Sequence, residues 1–134
     1  SRRGEATGVA LANTLLAENP DALLLVTGDL NTTRRGGTQE AVTEPLRILA
    51  GRPSEIPLTS LLPLKQDIHE YTFIWEEQNE ILDHALVSPA LLALFAGVDV
   101  LHFNALYPEM RWLDGETAVR SSDHDPLEAR FRFL

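Results

Sequence analysis

The chain has 134 residues, of which 44% are hydrophobic and 23% charged, and it contains no cysteine. This length and composition are typical of one globular domain and exclude a disordered chain, disulfides, thiolate nucleophiles and cysteine-ligated zinc. The 11 basic and 20 acidic residues give a formal net charge of −9, which opposes general attraction to nucleic acid but suits divalent cations. No apolar run reaches the roughly 18 residues of a membrane span.

The first half of the chain predicts a helix, a strand and a second helix. Apolar residues recur at helical spacing from Ala6 to Leu16, and Asn19-Pro20 ends the pattern. The apolar run "ALLLVTGDLN" (22–31) predicts a strand that is covered on both faces and ends at Gly28-Asp29. A polar loop is expected at 32–37, a short helix at 43–51 and an extended, proline-containing connection at 52–66.

The second half predicts a hairpin, a short helix and two further strands. "YTFIW" (71–75) and "EILDHALVS" (80–88) are rich in strand-forming residues and are separated by a polar connection. "PALLALFAG" (89–97) predicts a short helix capped by Ser88, and "VDVLHFN" (98–104) a strand. Apolar residues alternate with charged ones over 127–133, which predicts a half-buried last strand. These elements predict an α+β fold or a layered α/β/α fold.

Asp29, Asn31 and Asp83 are candidates for chemistry. Asp29 and Asn31 follow the first predicted strand, where α/β proteins place binding groups, although both residue types are also common in turns. Asp83 shares a face of its strand with apolar residues, and a carboxylate there requires a partner. That partner is either His124, whose tautomer Asp83 would fix, or an arginine such as Arg120.

A polar run, Ser122 to Asp125, precedes the last strand. It is either a turn or an edge of an active site, in which Asp123 ligates or orients a metal or its bound water and His124 acts as base or acid. Asp125 precedes proline and is expected to form a turn rather than to be a ligand. The remaining histidines lack zinc-ligand spacing and are expected to be structural or at the surface. The aromatic residues are expected to lie in the core or at its rim rather than to be platforms for base stacking. These histidines are His69, His84 and His102, and the aromatic residues are Phe73, Trp75 and Trp112.

Four stretches together resemble successive motifs of the endonuclease/exonuclease/phosphatase superfamily, a metal-dependent family that includes pancreatic deoxyribonuclease. They are "VTGDLN" (26–31), "YTFIW" with "ILDHALVS" (71–88), "HFNALYP" (102–108) and "RSSDHDP" (120–126). The resemblance extends from about Glu5 to the end of the chain.

The resemblance implies a role for each candidate residue. Asp29 and Asn31 would contact the scissile phosphate and the attacking water, and Asp83 would orient His124, which acts on water or phosphate. The implied cofactor is Mg²⁺, or alternatively Mn²⁺ or Ca²⁺. The implied metal ligands are Asp123 and Asp29, and the implied substrate-binding residues are Asn31, Tyr71 and Ser122.

The chain departs from this family because an N-terminal half, with a strand carrying Asn, a metal-binding Glu and a further His, is not found. Residues 1–134 are therefore expected to be one domain, a fragment that forms the C-terminal half of a layered α/β/β/α sandwich with mostly antiparallel sheets. Ser1 to Glu5 lacks a signal-peptide pattern and is expected to be a cut end, while the resemblance favours a secreted or periplasmic protein.

The expected function is metal-dependent phosphodiester hydrolysis of DNA or RNA by the complete protein, with the fragment inactive alone. Two alternatives stay open. One is a phosphatase or phospholipase-like hydrolase of a small phosphoester, and the other is a non-enzymatic association module. Because the lone half would expose apolar surface, the fragment is expected to form a homodimer.

Overall fold

The computed structural model of the protein describes residues 2–35, 58–65, 70–107, 115–117 and 119–133, apart from the side chains of 2–9 and 31–35. The helices are α1 (Arg2–Glu18), a 3₁₀ turn (Leu62–Lys65) and α2 (Pro89–Leu92). The strands are β1 (Leu25–Arg35), β2 (Thr59–Ser60), β3 (Phe73–Trp75), β4 (Gln78–Val87), β5 (Phe95–Val100) and β6 (Leu127–Phe131). Within this part, no helix is both long enough and apolar enough to cross a membrane. The helix predicted at 43–51, His69 and Trp112 lie outside the described residues.

The described strands form two antiparallel sheets, which confirms the predicted α+β class. β4 is the centre of the larger sheet: β1 pairs along one side of it, and β2 and β3 pair along the other. β5 and β6 form the second sheet. The predicted hairpin is present, and its turn consists of Glu76 and Glu77, whose φ angles are 46° and 66°. Positive φ at both central residues gives the turn a twist that matches the strands.

Alternate side chains of β4 enter two different cores. One core lies between the sheets and the other lies between the larger sheet and α1, so the layers follow the order helix, sheet, sheet. The buried core between the sheets comprises Leu61, Leu62, Ile81, Ala85, Val87, Leu91, Val98 and Val100. The buried core beneath α1 comprises Ala12, Leu16, Leu58 and Leu86. The period of two in β4 therefore explains how one strand supports both layers.

β1 is longer than predicted, and the loop expected at 32–37 is strand as far as Arg35. Pairing with β4 overrides the polar composition, because Arg34 lies opposite Ile81 and Arg35 opposite Glu80. The register shifts between the Asp29–Asp83 pair and the Arg34–Ile81 pair, so the four residues 30–33 face the single residue 82. This bulge changes the direction of the strand beside the predicted site, and bulges are common next to active sites.

The expectation that this strand is covered on both faces is wrong at its start. Leu24 and Val26 pack against the α1 core. Leu23 and Leu25 are instead 53% and 43% exposed. Among the described residues, the face of this run that carries Leu24 and Val26 is therefore covered, and the face that carries Leu23 and Leu25 is not.

Two further element boundaries differ from expectation. Ser88 caps α2 as predicted, with its hydroxyl accepting the Leu91 N–H at 3.4 Å. The helix ends at Leu92, however, and β5 begins at Phe95 because that residue pairs with Phe131 of β6. The described part of the expected extended connection, 58–65, contains β2 and the 3₁₀ turn, because Leu61 and Leu62 are buried in the core.

Candidate active site

Asp83 and His124 form a direct hydrogen bond. Asp83 lies on β4 and His124 lies on the loop before β6, and the distance from His124 Nδ1 to Asp83 Oδ2 is 2.7 Å. This confirms the predicted partner. The guanidinium of Arg120, the alternative partner, donates to the backbone carbonyls of Asn104 and Ala105 at 3.1 and 3.3 Å. Because the carboxylate accepts, Nδ1 is the donor, and Nε2 is the nitrogen that can exchange a proton.

The second ring nitrogen of His124 is available for chemistry. Among the described residues, Nε2 has no hydrogen-bond partner. The ring packs against Phe73, with the centroids 4.8 Å apart. The side chain is 22% exposed, so the imidazole is held on one side by Asp83, is supported by an aromatic face and remains open at the rim.

Two more carboxylates lie around this pair. Asp29 on β1 is directly opposite Asp83 on β4, and directly opposite side chains of antiparallel strands share a face. Asp123 precedes His124 in the chain. Like charges directly opposite one another are destabilising, so positive charge at this position stabilises the fold.

The surrounding carboxylates control the protonation of His124. Burial is the largest single effect and by itself lowers the pKa of His124. The hydrogen bond to Asp83 and the charges of Asp83, Asp123 and Asp29 together outweigh burial, so the pKa is raised above 6.5. The imidazolium form is therefore favoured in the range where an ordinary histidine loses its proton.

The other three predicted residues have different surroundings. Asn31 lies in the bulge of β1, and its side chain is outside the described part of the chain. The hydroxyl of Ser122 accepts the backbone N–H of His124 at 3.1 Å, which shapes the loop. Tyr71 is buried and stacks on His102, with the ring centroids 4.2 Å apart. Burial, followed by the charges of Asp125 and Glu70, raises the pKa of Tyr71. Substrate contact by Tyr71 stays a prediction.

Thr72 connects the strand that carries Asp83 to the loop that carries His124. Its hydroxyl accepts the backbone N–H groups of Leu82 and Asp83 at 3.1 and 3.2 Å. Its carbonyl accepts the N–H of Asp125 at 2.7 Å, and the side chain is fully buried. Thr72 was predicted only as a strand residue, because β-branched side chains are common in strands.

Asn104 fixes the same loop from the other side. Its amide donates to the His124 carbonyl at 2.8 Å, and its side-chain oxygen accepts the Ser121 N–H at 3.1 Å. Asn104 lies within the "HFNALYP" motif, which was the only signal for it in the sequence.

The carboxylate of Asp125 makes contacts that the expectation of a turn residue did not include. Its carboxylate is fully buried, and Oδ1 accepts the backbone N–H groups of Asn104 and Ala105 at 2.8 and 3.0 Å. Oδ2 contacts His102 Nδ1 at 2.9 Å. Asp125 is therefore an internal anchor, since a buried carboxylate requires such donors.

The other two described histidines, expected to be structural or at the surface, differ in their surroundings. His102 lies between two carboxylates, because its Nε2 also contacts Glu70 Oε1 at 2.8 Å. Lys65 contacts the other oxygen of Glu70 at 2.5 Å, and this hydrogen bond contributes most to the raised pKa of Lys65. His84 is buried on β4.

The described residues hold no complete set of metal ligands. In the described ranges, no group of three or more His, Asp or Glu residues is arranged to hold a metal ion. Mg²⁺ is often held by only one or two carboxylates, with water and substrate phosphate completing the shell. Asp29 and Asp123 are carboxylates near enough to His124 to raise its pKa, and carboxylates are the residue type that such an ion requires.

Comparison of the chain with protein-family models, with curated proteins and with solved structures found no match. The function is therefore argued from the site itself.

Proposed function

We propose that this chain provides the histidine side of the active site in a metal-dependent phosphodiesterase of the nuclease type. The observation that carries the proposal is the state of His124. Its Nδ1 is fixed by Asp83 at 2.7 Å, and its pKa is raised by Asp83, Asp123 and Asp29 against the effect of burial. These four residues come from three separate stretches of sequence, and packing of a core does not require them to meet.

The carboxylates around His124 suit a divalent cation. Asp123 and Asp29 lie close enough to His124 for their charges to raise its pKa, and hard cations take carboxylate oxygens as ligands. A divalent cation held by Asp123 and Asp29 would supply positive charge that stabilises phosphate oxygens during attack by water.

His124 itself can act in two ways. The bond to Asp83 fixes the tautomer with hydrogen on Nδ1 and stabilises the imidazolium. In that form Nε2–H can donate to a phosphate oxygen or to the leaving group. In the neutral form Nε2 can take a proton from the attacking water. Both roles use the nitrogen that is open in the structure.

An aromatic surface beside His124 favours DNA or RNA as the substrate. Phe73 contacts His124 and lies nearly parallel to Trp75, with the centroids 6.3 Å apart and 18° between the ring planes. Trp75 is 59% exposed. Nucleobases stack on such rings, whereas a small phosphoester without an aromatic group gains nothing from them. The small phosphoester is the alternative substrate within the same chemistry.

The proposal is tested with the full-length protein that carries this chain. Plasmid DNA, RNA and a simple phosphate monoester are incubated with Mg²⁺, with and without EDTA. Cleavage of DNA or RNA that EDTA abolishes and His124→Ala removes is the expected result, while Glu128→Gln, a change on the outer side of β6, should retain activity. Absence of cleavage, or cleavage that EDTA leaves unchanged, would contradict the proposal. The 134-residue chain alone is expected to be inactive.

A second candidate function is association. β1 pairs only with β4 among the described strands, so no described strand lies along its other side, and the exposed Leu23 and Leu25 lie at its start. Open edges with apolar side chains favour pairing between chains. Light scattering on the chain should show a dimer, and Leu25→Lys should weaken it. A monomer at high concentration would exclude this candidate.

A further inference from the structure

A second set of charged side chains lies directly behind the candidate site. Asp125 follows His124 in the chain, yet its side chain turns inward to His102, and His102 in turn contacts Glu70. The side chain of Asp125 is 0% exposed and that of Glu70 is 4% exposed. Lys65 binds the far oxygen of Glu70. The result is a continuous row of side chains in contact from Asp125 to Lys65, and Lys65 also contacts Asp99 at 3.2 Å.

Both nitrogens of His102 are occupied in this row. Each nitrogen is within 2.9 Å of a carboxylate oxygen. Without the ring, each of the two buried carboxylates would lose a hydrogen-bond partner, which is costly.

This row fixes the backbone on which His124 depends. Oδ1 of Asp125 holds the N–H groups of Asn104 and Ala105, and the side chain of Asn104 holds the His124 carbonyl. The N–H of Asp125 binds the carbonyl of Thr72, whose hydroxyl binds the N–H of Asp83. Both members of the Asp83–His124 pair are therefore bound to groups that Asp125 holds.

We infer that Glu70, His102 and Asp125 form a positioning unit that keeps Nδ1 of His124 on Asp83. None of the three needs to touch substrate. His102 acts through Asp125, and Glu70 acts through His102. The effect on turnover rests on the proposed function, whereas the effect on the Asp83–His124 bond does not.

The test uses NMR on the chain and follows the exchange with water of the His124 Nδ1 proton, assigned by its loss in His124→Gln. In His102→Gln, one side-chain amide replaces two ring nitrogens, so this proton should exchange about tenfold faster relative to the backbone amides of β4. Glu70→Gln should give a smaller increase. Glu18→Gln is the matched control, because Glu18 is exposed at the end of α1, makes none of these contacts and should leave the exchange unchanged.

Two outcomes would overturn the inference. One is a folded His102→Gln chain in which the His124 proton exchanges as in the wild type. The other is global unfolding of both His102→Gln and Glu70→Gln, because the cluster would then serve the stability of the whole fold. If the NMR response appears but the full-length protein cleaves no phosphoester, the proposed function fails and the positioning unit stands. If the full-length protein cleaves a phosphoester but the NMR exchange does not change, the positioning unit fails and the proposed function stands.

Discussion

His102 and His124 each contact carboxylates, and exposure does not tell them apart. The side chain of His102 is 33% exposed and that of His124 is 22% exposed, so the more exposed ring is the one assigned to structure. The difference lies in the hydrogen bonds. Both nitrogens of His102 are occupied by Asp125 and Glu70, whereas only Nδ1 of His124 is occupied, by Asp83. A histidine with two occupied nitrogens holds the fold, and one with a free nitrogen can exchange a proton.

The two rings are also linked through adjacent residues. His124 turns toward Asp83 and the rim, and Asp125 turns inward toward His102. The same short segment thus serves the candidate chemistry with one side chain and the fold with the next. This alternation explains why the loop is well held although it lies outside any helix or strand.

Replacing His124 should have the largest effect on activity. In the full-length protein, His124→Ala should lower kcat by about a hundredfold to ten-thousandfold, the usual contribution of a general acid or base. Circular dichroism should show an unchanged fold, because the ring makes one side-chain hydrogen bond. Near-normal kcat on a cleaved substrate would refute the assigned role and with it the contrast between the two rings.

Asp83→Asn should sharpen the contrast by leaving His124 in place without its anchor. Loss of a residue that orients a functional imidazole typically costs about 10- to 100-fold in activity. The pKa of His124 should also fall, because Asp83 provides both the hydrogen bond and the nearest charge that raise it. NMR titration of the His124 ring measures this change. An unchanged pKa would show that other groups control the ring.

Thr72→Val should break the link between the two clusters while preserving the size of the side chain. The buried N–H groups of Leu82 and Asp83 would lose their acceptor, and one unsatisfied buried group costs about 1–3 kcal/mol. Urea denaturation should therefore show a lower free energy of unfolding. Thr72→Ser, which keeps the hydroxyl, is the control and should lose much less. Equal losses in the two variants would attribute the effect to the methyl group.

Local patterns predicted much of this structure. Alternation along β4 placed Asp83 on an apolar face, and the need of a carboxylate for a partner predicted its bond to His124. The hairpin, the cap at Ser88 and the last strand follow from similarly local signals. The Asp83–His124 contact could be predicted because a carboxylate on an apolar strand face requires a hydrogen-bond or ion-pair partner.

Features that depend on contacts distant in sequence could not be predicted in this way. The polar residues 32–35 extend β1 because β4 offers partners, which composition does not show. Asp125 resembles a turn residue until Asn104, Ala105 and His102 surround it. In the sequence Thr72 is typical of a threonine in a strand, and only the structure shows that it accepts the N–H groups of Leu82 and Asp83. In each case the deciding partner lies between 10 and 47 residues away, outside the local pattern from which the elements were predicted.

The pH dependence of stability should give the smallest effect. The folded-state pKa of His124 is raised above 6.5, so the folded chain binds the proton more tightly than the unfolded chain does. The contribution of this pair to stability is therefore fully present below about pH 6.5 and is lost as the pH rises through the folded-state value. A partly exposed pair contributes only about 0–1 kcal/mol, which is less than the loss expected for Thr72→Val. Urea denaturation is measured from about pH 5 to about pH 9, a range that spans the ordinary pKa of histidine. Across it, the free energy of unfolding of the wild type should fall relative to that of His124→Gln. Parallel curves for the two proteins would mean that Asp83 does not favour the charged ring, which would remove the electrostatic difference proposed for His124.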